Sequence, residues 1–262
     1  MCPGVTFLGI TYYYWGYILA FAACFAFNLL WYRKKYGFRL LPAALMTALI
    51  IPFGYGLIIL LSLVHHGGIN WVRAVLFIPL AVYLICLILR TNYARTFDFL
   101  TPIACINHGV SHYFCVFQGC CYGYAASGTF SVWNQDQNAR LFPIQLVEAT
   151  SILLVGLAIV LYSRHKRYDT HGICYFIHMM AFGATRFVYE FFRDDTPVRW
   201  QLSQFQYYCI AEFLIGLLFV VLIKYSLSHP ALMERHPLLY REDIDELTRL
   251  RLLFRGKKQT AN

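Results

Sequence analysis

Seven apolar runs, each about the length needed to cross a bilayer core, leave this chain few folds to choose from. They fall at roughly 9–32, 41–64, 71–89, 98–118, 143–162, 172–192 and 205–225. A helix rises about 1.5 Å per residue, so about 20 apolar residues span the hydrocarbon. Backbone polar groups find no water there, so such runs fold as helices. A transmembrane β-barrel would show short alternating segments instead. The expected fold class is all-α: a polytopic membrane domain of seven transmembrane helices over 1–225, then a tail over 226–262. Composition agrees, with 59% hydrophobic residues and only 13% charged, against about 25% charged in soluble domains. The mean hydropathy is +0.53.

Positive charge follows the segment count. Arg33, Lys34, Lys35 and Arg39 lie between runs one and two, Arg90 and Arg95 between three and four, and Arg164, Lys166 and Arg167 between five and six. More basic residues, from Lys224 to Lys258, lie at and beyond the end of run seven, while Arg73, Arg140, Arg193 and Arg199 lie in or beside the alternate connections. By the positive-inside rule, the N-terminus is expected outside and the C-terminus inside. The net charge of +9 thus has a topological cause, and no nucleic-acid partner is expected. The start lacks a charged n-region, so run one is expected to remain as a helix. The tail near 241–255 repeats Ile244, Leu247, Leu250 and Phe254 at helical spacing, as a basic amphipathic helix on the inner leaflet would.

Chemistry is expected where polar groups interrupt the apolar runs, because such groups are costly in hydrocarbon. Run four carries Asn107, His108, Ser111 and His112, and ends in Gly119-Cys120-Cys121-Tyr122-Gly123. The polar stretch near 119–142 is expected to form a small outer head. Run six carries Arg186 and Glu190 four residues apart, with Arg193 three further on, all near one helix face. That pattern fits either an internal ion pair or an anion site, since a guanidinium binds phosphate through paired donors. Run five opens with Pro143 and places Gln145 and Glu148 on one face; with Glu212 in run seven they are expected either to ring the arginines or to form a packing network. His66-Gly67-Gly68 follows run two and could serve a proton transfer. Cys120-Cys121 has no second Cys/His pair at zinc-like spacing. No metal and no organic cofactor are expected; a strained disulfide is the alternative there.

These motifs resemble the prolipoprotein diacylglyceryl transferase family over most of the seven runs. His66-Gly67-Gly68 matches its His-Gly-Gly. Its signature D-F-x-x-P, then G-R-x-G-N-F-x-N-G-E-x-x-G, is matched by Asp98, Phe99, Pro102, Gly119 and Gly123. Its H-P-S-Q-L-Y-E is matched by Pro143, Gln145, Leu146 and Glu148, and its Y-G-x-x-R-F-x-x-E-x-x-R by Gly183, Arg186, Phe187, Glu190 and Arg193. The chain departs from the pattern within the signature. His112 stands for the arginine and Ser111 for the glycine before it. Cys115 and Gln118 stand for the two asparagines, and Cys120 for the glutamate. Phe142 and Phe182 replace a histidine and a tyrosine.

The resemblance implies transfer of a diacylglyceryl group from phosphatidylglycerol to the lipobox cysteine of a prolipoprotein, at the outer face of the bacterial cytoplasmic (inner) membrane. His66, Arg186 and Glu190 are then the expected catalytic residues. His112, Gln118, Gly119, Gly123, Gln145, Glu148 and Arg193 are the expected substrate-binding ones. The alternatives are a paralogue with another acceptor and a non-catalytic lipid-binding membrane protein.

Overall fold

The computed structural model describes residues 6–65, 71–165, 171–193 and 200–229. His66-Gly67-Gly68 and the expected tail helix lie outside them. Seven helices are present among the described residues, and they fall on the seven apolar runs. The first, α1, covers Tyr12–Lys35 and passes through a π-helical turn at Phe27–Tyr32. Then come α2 (Leu40–His65), α3 (Trp71–Leu89), α4 (Tyr93–Gln118), α5 (Ile144–His165), α6 (Ile173–Glu190) and α7 (Gln204–Ser228). Two short hairpins complete the fold, β1 (Thr6–Phe7) with β2 (Ile10–Thr11), and β3 (Val132–Asn134) with β4 (Ala139–Leu141).

Local chemistry sets the helix ends. Asn92 accepts the amide of Arg95 at the start of α4, as an N-cap side chain does. Gly119 closes α4 in a left-handed conformation, φ 73°, which glycine adopts without steric cost. Ser203 and Gln206 form a reciprocal capping box on α7. Asp98 acts at a distance. From α4 its carboxylate accepts the amides of Gly172 (2.7 Å) and Cys174 (2.9 Å), so it caps the first turn of α6.

Three helices are long and apolar enough to cross a membrane: Tyr12–Lys35, Ile144–Arg164 and Gln204–Ser228. Shorter apolar stretches, Leu40–Gly54 and Ala74–Leu89, lie in α2 and α3. Outward faces of the long helices are apolar, as with Leu154, Leu157 and Leu161 on α5 and Leu214, Leu218 and Val221 on α7. Polar residues turn inward instead. Asp98, Asn107, His108, Ser111 and His112 on α4, and Arg186 and Glu190 on α6, are all buried.

Close helix contacts bring those polar faces together. α6 packs most closely on α7, and α4 on α5 and α1. A Cβ at Gly183 would lie 2.6 Å from the Cys209 carbonyl oxygen, and one at Gly109 would lie 2.5 Å from the Leu153 side chain. Only glycine allows either approach, the pattern by which small residues seat helices in lipid.

Candidate functional site

The site lies where the C-terminal half of α4 meets the first turns of α5 and the end of α6. Glu148 is its hub. Its Oε2 accepts from Arg186 Nη1 at 2.6 Å and from Arg193 Nη2 at 2.7 Å. Arg186 Nη2 reaches Glu190 Oε2 at 2.9 Å, one helical turn along α6. Ser203, the cap of α7, donates to Glu190 Oε1 at 3.4 Å. From α4, His108 Nε2 faces Glu148 Oε1 at 3.6 Å and His112 Nδ1 faces Oε2 at 3.9 Å. Glu148, Arg186 and Glu190 are 4%, 6% and 4% exposed, so the two acids and Arg186 are withdrawn from bulk water. Such a group persists only if its charges are paired and hydrogen-bonded.

That pairing is incomplete on the basic side. Among the described residues, Arg186 Nε, Arg193 Nε and His112 Nδ1 are buried without a hydrogen-bond partner. Buried polar atoms are nearly always satisfied, so these three mark where a hydrogen-bonding ligand would fit. The chain's sequence from residue 6 to residue 222 matches the prolipoprotein diacylglyceryl transferase family. This chain belongs to that family. The family transfers diacylglyceryl groups to prolipoproteins and consists of membrane enzymes. No curated protein matches the chain.

Family motif residues divide into those at the hub and those that shape the chain around it. Arg186, Glu190, Arg193, Glu148 and His112 meet in one cluster. Gln145 Nε2 donates to the Cys120 carbonyl at 3.3 Å and holds the connection after α4. Gly119 and Gly123 are backbone devices: Gly119 turns the chain, and the Gly123 amide donates to the Phe142 carbonyl at 2.8 Å. A Cβ at Gly123 would meet the Phe192 carbonyl at 2.5 Å. Gln118 is half-buried in the last turn of α4, and no hydrogen bond among the described residues joins it to the hub. Glu212 does not ring the arginines by contact either; both its oxygens are buried without a hydrogen-bond partner among the described residues.

The stretch expected as a head contains the β3–β4 hairpin. Asn134 secures it. Its Oδ1 accepts the Asp136 and Gln137 amides, and its Nδ2 donates to the Gly119 carbonyl at 3.1 Å. Tyr124 then bonds the Phe192 carbonyl through its amide (3.0 Å), stitching this connection to the end of α6.

His108 was noted in run four as one of its polar groups but given no role, although it lies four residues before His112 and shares its helix face. Ser203 was missed altogether and carried no signal beyond its own capping box. One large cavity, about 630 Å³, lies far from this chemistry. Tyr93, Ala94 and Phe97 line it at the opposite end of α4, with Phe176 and Phe219.

Proposed function

We propose that this chain transfers a diacylglyceryl group from phosphatidylglycerol to the lipobox cysteine thiol of a prolipoprotein. The reaction takes place at the outer face of the bacterial cytoplasmic membrane, with seven spans and the N-terminus outside. The observation that carries this reading is the set of buried, unpartnered donors at Arg186 Nε, Arg193 Nε and His112 Nδ1. A phosphodiester offers acceptors to such donors, and guanidinium–phosphate pairs are strong and directional.

Each residue then has a part. Glu148 and Glu190 hold the two guanidiniums by their Nη atoms and leave the Nε edges for phosphate. His66, which follows α2, takes the thiol proton, since the thiolate is the nucleophile. A sulfur–carbon bond forms at the glycerol carbon as the carbon–oxygen bond to phosphate breaks. Glycerol phosphate leaves, and the arginines stabilise the charge that develops on it. Gly119, Gly123 and Gln145 act through the shape of the connection after α4. No metal or organic cofactor enters these steps.

A paralogue serving another acceptor is favoured by one observation: His112, Cys115 and Cys120 stand where the family signature has arginine, asparagine and glutamate. The test is direct. Full-length protein in phosphatidylglycerol vesicles is given a lipobox peptide, and the peptide is weighed. The expected result is a gain of one diacylglyceryl group. No gain, while another family member under the same conditions gives one, contradicts the reading.

A further inference from the structure

The carboxyl end of α4 holds a second cluster, made of softer groups. His112 and Cys115 are three residues apart on one face of the helix. Gly119 then turns the chain with φ 73°, and Cys121 does so again with φ 58°. A non-glycine residue rarely takes that conformation, and here it folds the chain back over the helix end. Cys121 thereby returns to the pair it left. One nitrogen of His112 and the sulfurs of Cys115 and Cys121 all lie within 4.8 Å of one another. His112 and Cys115 are buried and Cys121 is half-buried. All three thiols of this end, Cys115, Cys120 and Cys121, are free.

We infer that His112, Cys115 and Cys121 form a binding site for a thiophilic d10 metal ion of the zinc class. One imidazole and two thiolates are the donor set such ions prefer, while magnesium and calcium take oxygen. Donor atoms around a tetrahedral zinc lie roughly 3.5 Å apart, so small side-chain rotations close the set. Three protein ligands leave one coordination position open. The site also lies at the negative end of the α4 dipole, which favours a cation. Linear spacing hid this arrangement, because a single His-x-x-Cys has no matching partner pair; the left-handed residue at Cys121 supplies the third ligand. His112 also belongs to a set with His108 and Glu148, so the ion would fix the imidazole that borders the charge hub. This inference does not depend on the transferase reading.

The experiment uses the full-length chain in detergent, with a tag free of histidine and cysteine, stripped by a chelator under reducing conditions. Cobalt(II) is titrated in. The expected result is one saturating site per chain with a sulfur-to-cobalt charge-transfer band, bleached when zinc is added. C115S and C121S lose the band; C86S, altered at a buried cysteine in α3, keeps it. Zinc also slows alkylation of Cys115 and Cys121 in the unaltered chain, a readout independent of how the variants fold. The inference is overturned by absence of the band in the unaltered chain, or by a band unchanged in C115S and C121S. Alkylation unaffected by zinc overturns it too, as does a Cys115–Cys121 disulfide in chain quenched directly from cells.

Discussion

Two glutamates are buried to a similar degree and live in opposite surroundings. Glu148, 4% exposed, sits where α4, α5 and α6 meet and holds two arginines within 2.7 Å. Glu212, 0% exposed, sits in the α6–α7 seam and has no hydrogen-bond donor among the described residues. Its neighbour there is Gly183, where an added Cβ would lie 3.2 Å from its own. One corner of the molecule is therefore organised by charge and the adjoining seam by shape. Three buried atoms without a hydrogen-bond partner, Arg186 Nε, Arg193 Nε and His112 Nδ1, lie at the charged corner, and that is where the proposed anionic ligand would be bound.

Substitutions test this contrast, beginning with the one expected to cost most. Arg186→Ala removes the guanidinium that bridges Glu148 and Glu190; transfer to a lipobox peptide should fall to background, read by peptide mass. Retained transfer would break the assignment of the corner as the site. Glu148→Gln leaves two arginines facing one acid. Removing one partner of a buried pair costs about 3–5 kcal/mol, so the melting temperature in detergent should drop sharply. Gly183→Val puts carbons against the Cys209 carbonyl and tests the seam as a steric contact. Overpacking of this kind costs about 1–3 kcal/mol, visible as a smaller melting shift. Glu212→Met should be the mildest. It removes a polar group that has no donor, so stability should change by less than about 1 kcal/mol or rise. A loss as large as that of Glu148→Gln would erase the contrast.

The helices were legible because long apolar runs favour one secondary structure, and all seven runs coincide with helices among the described residues. The Arg186–Glu190 pair was legible from its four-residue spacing. Glu148 was expected beside the arginines and among the substrate-binding residues; that it is the hub of the ion pairs depends on how α5 seats against α4 at Gly109, a fact of packing. Gln145 shares that face in sequence, yet its amide turns to the Cys120 carbonyl. Asp98 matched a family motif without a visible task; its ligands, the amides of Gly172 and Cys174, lie more than 70 residues away. Cys121 resisted reading for a related reason, because a left-handed residue redirects the chain in a way that spacing along the sequence does not encode.

The most direct test of the account asks whether the charged corner recognises phosphate. Native mass spectrometry of the full-length chain, offered equal phosphatidylglycerol and diacylglycerol, measures that preference. The expected result is retention of phosphatidylglycerol over diacylglycerol, and loss of the preference in Arg193→Ala. Equal retention of the two lipids, or an undiminished preference in Arg193→Ala, would contradict it.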